Sequence, residues 1–182
     1  FYNDTLGEFE EFICTFFKYD KVLPMNSGVE AAESAVKLAR KWGYEKKKVK
    51  KNNAKIIFPK NNFWGRSIAA ISSSTNPLAY KNFGPLLHGF ETVPYDNLNL
   101  LEVKLKNPDC VAFMLEPIQG EAGIVVPSEG YLSNVKYLCN KYNVLFIADE
   151  IQTGLGRTGK ILATDYENAK PDILILGKAL SG

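Results

Sequence analysis

Residues 144–150 read VLFIADE, five apolar residues followed by two carboxylates. Three other short apolar runs have the same character: AKIIFP at 54–59, CVAFMLEP at 110–117 and DILILG at 172–177. GFETVPY at 89–95 is a further strand candidate. Short apolar runs bounded by turns are typical of strands that are buried on both faces of a parallel sheet. The sequence therefore predicts five strands.

Segments with a helical spacing of apolar residues alternate with these runs. They lie at 5–19, 29–44, 97–107 and 130–142, and a Ser-rich candidate lies at 66–74. Helices that alternate with parallel strands cover both faces of the sheet. We therefore predict an α/β fold, with a mostly parallel sheet and helices on both faces.

The composition is that of a chain with a hydrophobic core. Of the 182 residues, 46% are hydrophobic and 23% charged, which excludes a disordered tail or a disulfide scaffold. The net charge of +2 and the absence of an apolar run near 20 residues argue against a nucleic-acid or membrane partner. We interpret the lysine-rich run at 46–51 as a solvated helix end. The chain starts at Phe1 and stops at Gly182, and we interpret it as a piece of a longer protein.

The three cysteines are Cys14, Cys110 and Cys139, an odd number without a CxxC pair. This pattern predicts reduced packing residues in a reducing compartment rather than metal ligands. His88 has no acidic or cysteine partner at ligand spacing, so we predict a loop residue. No metal site is expected.

Polar residues follow the apolar runs repeatedly. Ser27-Gly28, Asn62-Phe63, Glu116, Asp149-Glu150 and Gly177-Lys178 are all expected at the carboxyl ends of strands. In an open parallel sheet, ligands bind in the crevice outside these ends. The pattern therefore predicts a functional site at this edge.

Lys178 has the most informative position in the sequence. It emerges from an apolar strand between Gly177 and Ala179, where we expect partial desolvation that suits it to Schiff-base chemistry. Asp149 ends another buried strand 29 residues earlier and is a candidate neighbour across the sheet edge. A lysine that binds a carbonyl and an aspartate beside a pyridinium nitrogen are the two protein groups that a pyridoxal 5'-phosphate (PLP) enzyme requires.

A nucleoside triphosphatase is the alternative from another class. VLFIADE has the form of a magnesium-binding strand, and GLGRTGK at 154–160 satisfies the G-x-x-x-x-G-K pattern of a P-loop. However, Ile161 stands where a P-loop needs a Ser or Thr hydroxyl. The segment also begins four residues after Glu150, too soon to follow a strand of its own.

Two weaker signals concern anion binding. The chain has 19 lysines and only three arginines, so Arg66 near the predicted edge is a candidate for a two-pronged grip on a carboxylate. In MNSGVEAAES, at 25–34, Ser27 is suited to cap a helix and Gly28 allows close backbone approach. The free N–H groups of such a helix start form an anion site.

Five segments together resemble the class III PLP-dependent aminotransferases. They are NSGVEA, NFWGR, EPIQGEAG, DEIQTGLGRTG and PDILILGKALSG, in this order. The resemblance covers essentially the whole chain. It implies that residues 1–182 form most of the large PLP-binding domain of a fold-type I enzyme, without the N-terminal segment and the small C-terminal domain.

The resemblance also implies roles for the residues around the cofactor. Lys178 matches the lysine that forms the Schiff base with PLP and later carries a proton. Asp149 matches the carboxylate that keeps the ring nitrogen protonated. Gln152 matches the partner of the ring hydroxyl, and Phe63 matches the aromatic residue that stacks on the ring.

Phosphate and substrate contacts follow from the same resemblance. The backbone N–H groups of Gly28 and Val29 match the phosphate site, although many relatives have Thr in place of Val29. Arg66 matches the residue that binds the substrate α-carboxylate. Glu121 matches an acidic residue that pairs with an arginine outside this chain and switches the site between diamine and 2-oxoacid substrates. A partner subunit contributes a further phosphate contact, so a homodimer with shared active sites is implied.

Within the family, the tryptophan of NFWGR favours enzymes that act on ornithine. The implied reaction transfers the δ-amino group of L-ornithine to 2-oxoglutarate and gives glutamate 5-semialdehyde and glutamate, a step of amino-acid metabolism and proline biosynthesis. Action on acetylornithine or 4-aminobutyrate is the alternative, and a non-catalytic scaffold is a remote one. We expect this chain to be inactive by itself, and we expect a cytoplasmic protein, with the mitochondrial matrix as the alternative.

Overall fold

The structure is a computed structural model that describes residues 3–181. The strands are β1 (Lys55–Pro59), β2 (Phe90–Val93), β3 (Cys110–Leu115), β4 (Leu145–Asp149) and β5 (Ile173–Ile175). The α-helices are α1 (Asp4–Phe17), α2 (Gly28–Glu45), α3 (Ile68–Ile71), α4 (Pro77–Tyr80), α5 (Leu98–Leu105) and α6 (Tyr131–Lys141). Short 3₁₀ helices span Ala163–Glu167 and Lys178–Ser181. Gly182, the last residue of PDILILGKALSG, lies outside the described residues.

The five strands form one sheet in the order β2-β1-β3-β4-β5, and every neighbouring pair is parallel. This confirms the predicted fold class. The chain runs from β1 to β2 on one side and then places β3 on the other side of β1. The strand order therefore reverses between β1 and β3, the point at which open α/β sheets form a ligand crevice.

Helices cover both faces because alternate strand residues point to opposite sides. On one face, small residues of α2 such as Ala35 and Ala39 pack in a cluster with Phe58, Met114 and Ile147. On the other face, α5 and α6 pack in a second cluster of buried residues, which includes Phe113 and Phe146 of the central strands. Both faces of β3 and β4 are thus buried from solvent, which explains their nearly continuous apolar sequence.

Two of the three cysteines are packing residues, as the sequence predicted. All three residues are free thiols, and Cys110 and Cys139 are buried in the cluster under α5 and α6. Cys14 is partly exposed on α1. Burial raises the pKa of Cys110 to about 12, so this thiol is a packing group rather than a nucleophile.

The Ser-rich helix predicted over 66–74 is much shorter in the structure. Only Ile68–Ile71 are helical, and a separate single turn, Pro77–Tyr80, follows. The hydroxyl of Ser72 donates to the Ile68 carbonyl at 2.6 Å, and that of Ser73 donates to the Ala70 carbonyl at 3.0 Å. Serine side chains that bond to nearby backbone compete with helix continuation, which accounts for the early end.

One predicted strand end is wrong. Ser27-Gly28 follows no strand, because residues 18–27 contain no regular element and Pro24 cannot donate to a sheet. Ser27 is instead the N-cap of α2. The start of α2 still reaches the predicted edge, since a Cβ atom added to Gly28 would lie 2.7 Å from Cδ1 of Ile151. A larger residue at position 28 would therefore have to displace the end of the Ile151 side chain.

The P-loop alternative is also excluded by the backbone. Residues 151–162, which contain GLGRTGK, form turns and bends and lead into the 3₁₀ helix Ala163–Glu167 instead of a phosphate-binding α-helix. Lys160 donates to the backbone carbonyl of Asp165 and lies over the Tyr166 ring.

Across residues 3–181, no helix combines the length and the apolar character that crossing a membrane requires.

Candidate functional site

A cavity of about 210 Å³ lies at the carboxyl edge of the sheet. Six of the predicted site residues line it: Gly28, Val29, Phe63, Asp149, Gln152 and Lys178. They come from the start of α2, the loop after β1, the end of β4 and the segment after β5. Residues that are up to 150 positions apart in the sequence are therefore brought together as predicted.

Asp149 is the last residue of β4 and is only 5% exposed. Burial raises the pKa of its carboxyl group to about 7, while a hydrogen bond from the Ile151 N–H, 3.1 Å from Oδ1, and the charge of Lys178 lower it. The charge of Glu150 is a further cause of the increase. A nearby cation strongly stabilises the ionised form of such a buried carboxylate. A protonated ring nitrogen is a cation of this kind.

Lys178 is more exposed than the sequence predicted. β5 is only three residues long and ends at Ile175, so Lys178 stands beyond the sheet at the mouth of the cavity, where its side chain is exposed. Its backbone has a φ of 46°, in the left-handed region that few non-glycine residues adopt. The lysine is thus held in an unusual conformation beside the cavity, and its amine is accessible.

Glu116, the first residue after β3, is a site residue whose role sequence reasoning missed. It lines the cavity, is 6% exposed, and accepts a hydrogen bond from the Phe63 N–H at 2.9 Å. This contact joins the ends of β1 and β3, where the strand order reverses. Burial raises the pKa of the Glu116 carboxyl group to about 8. The only signal in the sequence was its place at a strand end.

Trp64 anchors the loop that carries Phe63. Its ring lies nearly parallel to that of Phe58, with centroids 5.8 Å apart, and its N–H donates to the Ser73 hydroxyl at 2.7 Å. The side chain of Asn62 donates to the backbone carbonyls of Pro59 and Ser73. The two residues that flank Phe63 in the sequence are therefore held in place, Trp64 by an aromatic stack and a hydrogen bond and Asn62 by hydrogen bonds.

Gln152 and Glu121 are neighbours. Nε2 of Gln152 donates to Oε1 of Glu121 over 3.5 Å, a long contact. Gly120 allows the loop after β3 to approach, because a Cβ atom there would lie 2.6 Å from Oε1 of Gln152. Glu121 thus lies beside a residue that lines the cavity.

Arg66 does not line this cavity. It is exposed and borders a second cavity of about 380 Å³, which shares Phe63, Trp64 and Gly65 with the first. Within residues 3–181, its guanidinium forms no ion pair. The guanidinium is therefore available to a carboxylate that reaches the first cavity from this side.

The start of α2 provides an anion site. Glu30 N–H bonds to the Ser27 hydroxyl oxygen and Ala31 N–H to the Ser27 carbonyl. In the described part of the chain, the N–H groups of Gly28 and Val29 have no such partner. Free N–H groups at a helix N-terminus, together with the helix dipole, bind phosphate.

A lysine, a buried aspartate, an aromatic ring and a helix N-terminus lie around one cavity of a parallel sheet, and these are the protein groups that PLP chemistry requires. The comparison with protein families agrees: aminotransferase class III matches residues 1–182, and the chain belongs to this family. PLP is the cofactor of the family.

Individual relatives are similar over the whole chain. Ornithine aminotransferase, mitochondrial, from Drosophila melanogaster is 64% identical over 182 residues, which are 100% of this chain and 42% of that protein. The crystal structure of the ornithine aminotransferase from Toxoplasma gondii has a TM-score of 0.98 at 54% identity, over 100% of this chain and 43% of that one. Acetylornithine aminotransferase from Elizabethkingia anophelis has a TM-score of 0.83 at 49% identity, over 100% of this chain and 41% of that one. The chain spans less than half the length of these relatives.

We expect Glu116→Gln to change the pH dependence of stability. The pKa of Glu116 rises from 4.5 in the unfolded chain to about 8, so between these values the folded state holds a proton that the unfolded state has released. The free energy of unfolding therefore falls as the pH rises through this window, by about 1.4 kcal/mol per pH unit. The glutamine variant keeps the loss that Asp149 causes but lacks the one from Glu116, so it should be more stable than wild type at pH above 8, by a few kcal/mol. The measurement is denaturant unfolding of the cofactor-free protein across this pH range.

Glu129→Gln is the matched control, because Glu129 is exposed. It should follow the wild-type pH dependence. A Glu116→Gln curve parallel to wild type would contradict the assignment of a carboxyl group whose pKa is raised by burial.

Proposed function

We propose that the protein containing this chain transfers the δ-amino group of L-ornithine to 2-oxoglutarate, and that residues 1–182 are most of its large PLP-binding domain. The observation that carries the proposal is the convergence of Lys178, Asp149, Gln152 and Phe63 on one cavity. The identity of 64% with the fly enzyme supports ornithine as the substrate. A non-catalytic scaffold is disfavoured, since such a protein has no need of the lysine and the buried carboxylate together.

When bound, PLP would link covalently to a lysine amine and would take up the charge left when a proton leaves the substrate carbon that carries the transferred amino group. Lys178 is the residue that provides the amine and then moves the proton. Asp149 holds the proton on the ring nitrogen. Phe63 covers the ring, and Gln152 donates to its hydroxyl group.

The phosphate and the substrate are bound around this centre. The N–H groups of Gly28 and Val29 hold the phosphate, and the exposed position of Arg66 suits it to hold the substrate carboxylate. Glu121, beside Gln152, is suited to pair with an arginine from elsewhere in the protein and so to adjust the site between its two substrates.

We expect Arg66→Lys to raise KM for both ornithine and 2-oxoglutarate by about 5- to 100-fold, with a smaller effect on kcat. Both substrates present a carboxylate, and an ammonium replaces a planar two-pronged donor at a cost of about 1–3 kcal/mol. Steady-state kinetics with each substrate varied in turn test this. Arg157→Lys, another exposed arginine, should leave both constants unchanged. Unaltered KM values in Arg66→Lys would place the carboxylate site elsewhere.

Acetylornithine is the second candidate substrate, since the Elizabethkingia relative named for it is 49% identical. The cofactor chemistry of the two reactions is the same, and only the contacts at the substrate ends differ. The comparison of kcat/KM for ornithine, acetylornithine and 4-aminobutyrate distinguishes them.

The assembly and location are parts of the same proposal. We infer a homodimer with shared active sites and, as the expected role, a contribution to proline biosynthesis. The name of the fly relative supports the mitochondrial alternative over the cytoplasm that the sequence favoured. Since the chain covers 42% of that relative, residues 1–182 alone should be inactive.

The proposed function is tested by ornithine-dependent formation of glutamate from 2-oxoglutarate with the purified full-length protein. Formation of glutamate and of the semialdehyde in equal amounts is the expected result. If kcat/KM is higher for acetylornithine or 4-aminobutyrate, that compound and not ornithine is the substrate. If none of the three compounds is turned over, the proposal is rejected.

A further inference from the structure

Glu150 is a buried carboxylate that no step described above uses. It directly follows Asp149 and is only 1% exposed. In residues 3–181, no basic side chain forms an ion pair with it. A buried carboxylate is costly unless hydrogen bonds compensate it, so its partners indicate what it does.

The side chain of Glu150 accepts four hydrogen bonds. The N–H of Ala163 lies 3.0 Å from Oε2, and the hydroxyl of Thr153 donates to the same oxygen. The N–H and the hydroxyl of Thr164 each lie 2.9 Å from Oε1. Each oxygen therefore accepts two donors, a number that an ionised carboxylate satisfies and a neutral amide does not.

The backbone of Glu150 is bonded on both sides as well. Its N–H donates to the carbonyl of Ile175 at 3.0 Å, and its carbonyl accepts from the Gly154 N–H at 2.8 Å. Glu150 thus connects the end of β4, the end of β5 and the segment 151–164. This segment contains no regular element before residue 163, so these bonds tie its two ends together.

Three residues of the cofactor site are close in sequence to Glu150 or to its backbone partner Ile175. Asp149 precedes Glu150 by one position, Gln152 follows it by two, and Lys178 lies three positions after Ile175. Gly177 also packs against Ile151, since an added Cβ atom would lie 3.3 Å from Cγ1. A shift of Glu150 would therefore move the ring-nitrogen partner, the ring-hydroxyl partner and the lysine relative to one another.

We propose that Glu150 is the positioning residue that holds Asp149, Gln152 and Lys178 in the arrangement that binds PLP. The proposal rests on the proposed function, because it assumes that the cavity binds this cofactor. Glu150 touches none of the reacting atoms. It acts through the residues on either side of it, as the hydrogen-bonded supports of metal ligands do.

Glu150→Gln in the full-length protein is the central variant. The amide keeps the size of the side chain but replaces one acceptor oxygen by an NH₂ group, which is a donor. The two donors that bonded to that oxygen then have no acceptor. Thr164→Val is a milder variant that removes one hydroxyl donor and keeps the backbone N–H. The measurements are the dissociation constant for PLP, by equilibrium dialysis of the cofactor-free protein, and the midpoint of its denaturant unfolding.

Asp172→Asn is the matched control. Asp172 accepts from the Phe146 N–H at 2.8 Å and from Lys136 at 2.7 Å, at the opposite edge of the same two strands. It therefore supports β4 and β5 without a connection to the cavity. We expect Asp172→Asn to lower the unfolding midpoint and to leave the PLP dissociation constant unchanged.

We expect Glu150→Gln to weaken PLP binding by about 10- to 100-fold and Thr164→Val to weaken it by a smaller factor. Wild-type affinity in a folded Glu150→Gln protein would show a merely structural role and overturn the proposal. If Glu150→Gln does not fold, wild-type affinity in Thr164→Val overturns it. Failure of the wild-type protein to bind PLP would reject the proposed function as well, so the two failures are distinguishable.

Discussion

Lys178→Ala should abolish transamination by the full-length protein while the fold remains intact. In the proposed function the lysine is both the covalent anchor of PLP and the carrier of the substrate proton, and no other lysine lines the cavity in residues 3–181. The exposed position of the side chain means that its removal creates no cavity in the core. We expect a loss of at least about 10⁴-fold in kcat, near the limit for a general acid–base group. Single-turnover assays and circular dichroism measure the two effects.

Lys160→Ala is the control for this prediction, and it also tests the excluded P-loop. Lys160 is exposed and bonds only to the backbone of Asp165 in the described structure. Its replacement should leave transamination unchanged, whereas a nucleotide-binding site would depend on it. More than a few per cent of wild-type activity in Lys178→Ala would overturn the assignment of the cofactor lysine.

Asp149→Asn should reduce kcat by about 10³-fold or more. The amide oxygen still accepts the Ile151 N–H, so the end of β4 keeps its backbone bond, but the negative charge is lost. A neutral amide does not hold a proton on the ring nitrogen, and the ring would then take up less charge from the substrate carbon that carries the transferred amino group. Because the pKa of Asp149 is raised by burial, the amide should also stabilise the cofactor-free protein at pH above 7. Rate and stability should thus change in opposite directions.

Kinetics at saturating PLP and unfolding of the cofactor-free protein separate these two effects. A rate equal to wild type would make Asp149 a strand-end residue without a role at the ring. Asp172→Asn, at the other edge of the sheet, controls for the loss of one carboxylate.

The parts of the fold that the sequence predicted correctly are those that a local pattern determines. The nearly continuous apolar runs of β3 and β4 follow from burial on both faces, and a parallel sheet places their ends at one edge. Lys178 and Asp149 were predicted as site residues from this placement, and both line the cavity. The exposure of Lys178 was not predicted, because the early end of β5 at Ile175 has no signal in the apolar run that continues to Leu176.

The sequence placed Glu116 and Glu150 at strand ends but did not predict the hydrogen bonds that they make to distant residues. Glu116 bonds to Phe63, 53 positions away, and the Glu150 carboxylate bonds to Thr164 across a segment without a periodic pattern. A carboxylate after a strand looks the same in a sequence whether it contacts a ligand or supports a loop. The distinction depends on three-dimensional contacts, and only the structure provides them.

Lys178 is the lysine that we propose binds PLP covalently. Borohydride reduction of the PLP-loaded full-length protein converts the lysine–cofactor bond to a stable amine, which peptide mass spectrometry then locates. The chain contains 19 lysines, so the other 18 serve as internal controls. We predict one phosphopyridoxyl group per chain, on the peptide that contains Lys178. If the label is on a different lysine, or if the Lys178 peptide carries no more label than the peptides of the other lysines, Lys178 is not the residue that binds PLP.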